Sequence, residues 1–477
     1  WVEVTDEFSG KYTDFILDSK WGSDHDTEVI VWFVTKSPIG KARYAIAERP
    51  EGLQSITLKK LKGREIDSTP PVVRYIPSEL VLKPDVPYTI HLIATDPSGV
   101  DSALVYYRVG GKRRFSFLKM SKDGDTLFYA SLPRPNTEVI YRGIEFYLRV
   151  VDGVGNAWES PHYALRFMIT GKGIERQEFT FSSKYQMISL PIVPRDTSPC
   201  AILGPILGPY DKTKWRLFWW DPRKKEYVED PKALIPGLSY WLITGKPQKL
   251  YTGPGESVPP DTFQVILQPG WNMIGCPFAF PVDWSEVEGH RKVQAPIRYD
   301  GTEFIYDQYI LRPWEGYAVY NPTNGLVTIK FPPLEAKKSS KPVLSLPDLA
   351  RGSGGWILQL EASSGDSTRD TYNFLGWMLE ASDTWDRYER AEVPPLPGFV
   401  SLYFDHRNWP DVPGLHTTDV RPAGRERYTW RFFVLAPTGK VCLSWRHTGL
   451  PEGLRGRIVD EGAGIWSELK PSGEYTF

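Results

Sequence analysis

Seven histidines, three cysteines and a large set of carboxylates are the groups of this 477-residue chain equipped to exchange protons, attack carbonyls or hold metal. The histidines are His25, His91, His162, His290, His406, His416 and His447, and no two stand in an HxxxH or HExxH arrangement. Zinc hydrolysis needs several N or S ligands set around one open position, so the sequence offers that chemistry no ligand set. A Gly-x-Ser-x-Gly elbow, a phosphate-cradling glycine loop and a dinucleotide fingerprint are equally absent from the sequence. Carboxylate pairs of the glycosidase kind are defined by separation in space and leave no sequence signature. The three cysteines, Cys200, Cys276 and Cys442, lie far apart with no CxxC. An odd count forbids complete pairing, which leaves either three small buried hydrophobes or a Cys200–Cys276 bridge with one thiol over. Asp96, Asp101, Asp152 and Asn156, and separately Asp366, Asp370, Asp383 and Asp386, are the candidate calcium donors. Calcium takes six to eight converging oxygens, whereas Asp and Asn also cap ordinary turns, and without the regular spacing of an EF-hand the turn role is expected. The expectation is a non-enzymatic protein with no catalytic residues, no metal and no cofactor.

Aromatics offer a different chemistry. The chain holds 18 Trp and 25 Tyr. Trp219, Trp220, Trp241, Trp314 and Trp409 could stack on sugar rings as a glycan platform, or pack a core and the seams between modules. Several recur at matching places in a repeat described below, which favours the core.

Lys+Arg 57 against Asp+Glu 58 gives a formal net charge of -1. Nucleic acid and anionic membrane both demand a basic face, so neither is an expected partner. Nor does any run of 18 apolar residues exist to insert into a bilayer. The sequence opens on Trp1 with no basic and apolar leader, which predicts a processed secreted product or part of a longer precursor. Few Asn, Cys and Met beside 42 Pro is a thermophile-like balance.

The elements that would position these groups are strands. Forty-one Gly and 42 Pro punctuate short alternating runs, the pattern of an all-β fold of several tandem β-sandwich modules. Residues 1–67 form a β-rich segment with strand-like runs at Trp1–Val2–Glu3–Val4, 27–34, 42–46 and 55–58. After the linker Asp67–Ser68–Thr69–Pro70–Pro71, residues 68–172 alternate through 88–94, 103–109 and 144–151 into Asp152–Gly153–Val154–Gly155–Asn156. Residues 173–335 contain a duplication, at about 180–254 and 262–333. Tyr185–Gln186–Met187–Ile188–Ser189–Leu190–Pro191 recurs as Trp271–Asn272–Met273–Ile274–Gly275–Cys276–Pro277. Trp219–Trp220–Asp221 recurs as Arg298–Tyr299–Asp300, and the block 234–242 as 311–319. Two copies are too few for a solenoid, so two half-sheets about a pseudo-twofold are expected. A polar linker at 335–341 leads to a final β-sandwich at 345–477.

Residues 31–44 resemble one edge of a fibronectin type III domain, and 68–172 resembles the fibronectin type III or immunoglobulin-like domains of bacterial secreted proteins. The repeated W-N-M-I-G-x-P block is similar to that of large secreted bacterial proteins exported by type IX or related routes. These resemblances imply sandwich folds at the cell surface and carry no chemistry of their own. The functional expectation is an extracellular structural protein that assembles with copies of itself into a filament, tube or surface layer, with surface polysaccharide as a further partner. Trp1, Val2 and Val4 at one end, and Tyr475 and Phe477 at the other, are the candidate polymer contacts, because strand edges template pairing with another chain. Against the resemblance, the final module ends one strand early, so its last sheet is expected to accept a strand. The alternatives are an accessory or anchoring region of a larger secreted hydrolase, and a glycan-binding adhesin.

Overall fold

The computed structural model describes residues 2–5, 43–46 and 68–477, except 78–79, 177–183, 338–344, 366–367, 437–438 and 448–449. Trp1, the runs at 27–34 and 55–58, Asp67 and Asp366 lie outside the described residues, as does part of the 335–341 linker. The chain is all-β, a series of mostly antiparallel sheets with three short α-helices among the described residues. None of those helices is long and apolar enough to cross a membrane.

Alternation builds the sandwich at 72–169. One sheet runs Val72–Arg74, Thr89–Thr95, Leu127–Ser131, Ser121–Asp123. The other runs Ser116–Lys119, Val100–Val109, Ile144–Asp152, Tyr163–Ile169. Because strand side chains alternate in direction, Ile90, Leu92 and Ala94 from the first sheet meet Phe146, Leu148 and Val150 from the second. Each larger side chain so buried contributes about 1.5–3 kcal/mol. Asp152 closes the last turn, accepting from Val154 N at 2.9 Å, Asn156 N at 2.8 Å and Asn156 Nδ2 at 2.7 Å.

The second sheet does not end with the sandwich. Tyr163–Ile169 pairs with Gly255–Ser257, which pairs with Ile192–Pro194 of the duplicated region. Arg166 and Glu256 form an ion pair across this seam at 2.8 Å, and Ser257 Oγ accepts from Phe167 N at 2.9 Å. A second fastening joins Arg142 to Glu335 at 2.7 Å. The two modules are thus hydrogen-bonded side by side, beyond their covalent connection.

In the duplicated region Gln186–Ser189, Ser239–Thr244, Trp215–Asp221 and Glu226–Glu229 form one sheet. Gly270–Gly275 and Gly316–Asn321 pair in the second copy, with Arg298–Tyr299 and Phe304–Ile305 beside them. The copies meet through reciprocal contacts. Ser189 N donates to Trp314 O and Gly275 N to Gly237 O, both at 3.0 Å. Ile188 bridges Glu315 while Leu238 bridges Ile274. Equivalent residues exchange equivalent bonds, as a pseudo-twofold requires. Met187 and Met273 are both buried in one shared cluster with Trp271, against which Tyr185 packs. Tyr240 Oη accepts from Ile235 N and Tyr317 Oη from Arg312 N, the same corner in each copy. At one turn the first copy has Gly237 at φ 80° and the second Trp314 at φ 69°. The left-handed conformation suits glycine; the second copy tolerates it because the Trp314 indole is buried in the core of the first.

The C-terminal module opens with the helix Leu346–Ser353, N-capped by Ser345. Its five-stranded sheet runs Thr418–Pro422, Thr368–Met378, Trp356–Ser364, Val441–His447, Ser472–Thr476. A smaller sheet of Leu415–His416, Ser401–Asp405 and Phe433–Leu435 covers it, and the hairpin Arg457–Asp460/Ile465–Glu468 lies at one end. This module also packs on its neighbour: Ala391, Val393, Leu396 and Phe399 enter the cluster around Met187 and Met273. Tyr227 Oη donates to Pro394 O at 2.7 Å, and Tyr306 stacks on Tyr372 at 3.9 Å.

Candidate functional site

Two places present groups that the fold leaves available. The first is the strand Ser472–Thr476, which ends its sheet and pairs on one side with Val441–His447. Val441 and Phe477 exchange two backbone hydrogen bonds of 3.0 Å. Antiparallel bonding alternates by residue, so 473, 475 and 477 bond inward. The backbone N–H and C=O of Ser472, Glu474 and Thr476 therefore point outward, and among the described residues no strand takes them. Tyr475 faces the module's core and its hydroxyl donates to Asp460 Oδ2 at 2.9 Å, tying the strand to the terminal hairpin. That hairpin and strand expose Ile465, Trp466 and Phe477, each about half accessible.

The second place is a cleft of about 830 Å³ in the same module. The end of Ser401–Asp405 and the turn after it supply Asp405, His406, Arg407, Asn408 and Trp409; the strand Thr418–Pro422 supplies Asp419 and Arg421; Thr429, Trp430, Arg431, Phe433, Asp383 and Glu461 complete the walls. Its floor is a fixed polar cluster. Arg421 grips Asp419 with two bonds of 2.9 Å, and His406 Nε2 lies 3.2 Å from Asp419 Oδ2. Burial pushes the Asp419 carboxyl up, but the His406 and Arg421 contacts overcome it and hold the group below the usual carboxylate range. The Arg407 guanidinium holds Asp405 down at about 2. Trp409 lies flat on His406, 3.9 Å between ring centres at 12°. Behind them His416 is fully buried, and burial lowers it to about 3, a neutral ring.

The aromatic residues singled out from sequence separate sharply. Trp220, Trp241 and Trp314 are buried and so cannot stack on a glycan; Trp220 Nε1 donates to Trp271 O at 2.8 Å and Trp241 packs edge-on against Tyr299. Trp219 is half-buried against the first copy's core. Trp409 alone of the five lines the cleft. Val2 and Val4 lie on a strand that pairs on one side within the chain, opposite Ile46 and Tyr44. Asp96, Asp152 and Asp386 accept from nearby backbone N–H groups, the ordinary work of turn residues. Asp370 is buried and accepts from Leu402 N. The cysteines are unbridged, with Cys276 buried and Cys200 exposed.

Sequence reading missed His406, Asp419, Arg421 and Trp430 as neighbours. The run Asp405–His406–Arg407–Asn408–Trp409 is dense in polar and aromatic groups, a signal that this turn could do chemistry. Nothing in sequence announces that residues near 383, 421, 430 and 461 converge on it.

No protein-family model matches the chain, and no curated protein matches it.

Proposed function

We propose that this chain is a non-catalytic extracellular structural protein that assembles with copies of itself by pairing strand edges. The observation that carries the reading is the outer edge of Ser472–Thr476, a row of unpaired backbone donors and acceptors that another strand would complete. Pairing of this edge with a different edge of the next copy would join two unlike surfaces and so repeat into an open filament or tube, whereas pairing with itself would close a dimer. Supporting it, the modules are stitched by a shared sheet, ion pairs and a common core, which makes each subunit a stiff building block. The near-neutral charge suits close packing of like subunits. Secretion and cell-surface location rest on the resemblance of the sandwich and repeat segments to modules of secreted bacterial proteins.

The alternation of the edge supplies the test. Proline removes one N–H, and at 474 or 476 that N–H points outward. Glu474→Pro and Thr476→Pro should leave the ladder to Val441–His447 intact while blocking an incoming strand. Light scattering should show assembly by the native chain and its loss in both variants, with unchanged far-UV circular dichroism. Variants that assemble as well as the native chain would overturn the reading.

A further inference from the structure

We infer that the cleft at Trp409 binds a neutral saccharide, a short stretch of polysaccharide chain laid across the indole. Its volume of about 830 Å³ falls in the usual range of small-molecule clefts, about 300–1,000 Å³. A pyranose ring presents a flat apolar C–H face edged by hydroxyls, and it needs a flat aromatic surface bordered by donors and acceptors. Trp409 is such a surface. Its plane is set by the His406 ring, and His406 is in turn set by the buried Asp419, so the indole is held in place before a ligand arrives. A second indole, Trp430, is fixed by its Nε1 bond to Asp419 O at 3.1 Å and by the Arg421 guanidinium 5.4 Å over its ring.

Charge decides the class of ligand. The four carboxylates lining the cleft are each already paired with an arginine: Asp405 with Arg407, Asp419 with Arg421, Glu461 with Arg431 and Asp383 with Arg425. An anion would meet a carboxylate beside each guanidinium, and a metal ion a guanidinium beside each carboxylate, so either carries a repulsion that a neutral ligand does not. A hydroxyl both donates and accepts, so it can bridge a guanidinium N–H and a carboxylate oxygen and leave the pair intact. Cleavage of a glycosidic bond needs an acid that keeps its proton near neutrality. Asp405 and Asp419 are instead held ionised, so neither is fitted to serve as that acid.

Affinity electrophoresis of the intact chain through gels containing xylan, glucomannan, soluble β-1,3-glucan or alginate tests this, each run against a gel without polymer to remove any contribution of self-assembly. Retardation by at least one of the three neutral polymers is expected. Trp409→Ala should weaken that retardation on the order of tenfold. Asn408→Ala, an exposed change that leaves the Trp409–His406 stack in place, should weaken it less, and thermal melts should show both variants folded. Retardation by none of the neutral polymers, retardation by alginate alone, or retardation that Trp409→Ala leaves unchanged would each overturn the inference.

Discussion

Gly275 and Ser189 are the equivalent residues of the two repeat copies, and they face each other where the copies meet. A Cβ added at Gly275 would lie 2.1 Å from Ser189 Cβ, 2.8 Å from Ser189 Oγ and 2.9 Å from Leu238 O. Carbon atoms rest about 3.5–4.0 Å apart, so the two strands must separate by roughly 1.5 Å or tilt. Gly275 has no positive φ, so the cost of Gly275→Ala is one of space and not of backbone strain. Overpacking of this kind costs about 1–3 kcal/mol. Separation also stretches the reciprocal bonds Ser189 N to Trp314 O and Gly275 N to Gly237 O, at about 0.5–1.5 kcal/mol each. The sum, about 2–6 kcal/mol, is a large share of a typical total stability of about 5–15 kcal/mol. Removing the opposing side chain should relieve it. Ser189→Gly alone loses the 2.8 Å bond from Ser189 Oγ to Glu315 O, about 1 kcal/mol. In the pair Ser189→Gly/Gly275→Ala the 2.1 Å and 2.8 Å contacts vanish, so the double variant should be more stable than Gly275→Ala alone. Urea unfolding followed by tryptophan fluorescence, analysed as a double-mutant cycle, reads this coupling, expected to be about 1–3 kcal/mol in favour of the pair. Additive single effects would show that the two copies do not meet at these residues.

Three further outcomes follow from buried groups. Met273→Asp places a charge in the cluster that joins both repeat copies to the C-terminal module, and should abolish cooperative folding of that region, seen as a lost or strongly shifted calorimetric transition. Burial raises Glu389 to about 10, and burial with the neighbouring Asp370 raises Glu392 well above the usual range. Groups whose folded values are raised stabilise at low pH and lose that contribution as pH climbs toward the folded value, so stability should fall from pH 7 to pH 9 by up to about 1.4 kcal/mol per pH unit for each retained proton, and the melting temperature with it. His416, lowered by burial, acts below its ordinary value and so leaves this window undisturbed. Glu392→Gln should flatten the dependence, and a melting temperature that rises over the same range would contradict the assignment. Burial raises the Cys276 thiol to about 12, whereas Cys200 is exposed, so maleimide should label Cys200 in the folded protein and reach Cys276 only in denaturant, as peptide mapping would show.

Much of the architecture was legible because strand periodicity and duplication are written locally. Thr89–Thr95 alternates by residue type and alternates in burial, and the repeated 185–191 and 271–277 blocks place Met187 and Met273 in one core. What escaped is what depends on distance in space. Gly255–Ser257 is three residues long, too short to show a period, yet it carries the sheet across a module boundary. Trp219 and Trp220 read alike in sequence, but neighbours on a strand face opposite ways and only Trp220 is buried. The cleft escaped for a similar reason: its pairs Asp383–Arg425 and Arg431–Glu461 join positions at least thirty residues apart, in turns and loops with no period. The pairing of Val2–Thr5 with Arg43–Ile46 escaped as well, because two short runs some forty residues apart carry no mark of being partners.

Self-assembly is the central claim, and sedimentation velocity of the purified native chain across a concentration series reads it directly. Open-ended pairing at the Ser472–Thr476 edge predicts a weight-average sedimentation coefficient that climbs continuously with concentration, without a plateau at dimer, and a Thr476→Pro chain that remains a single monomeric boundary throughout. A native chain that stays monomeric at every concentration, or that saturates as a closed dimer, would contradict it.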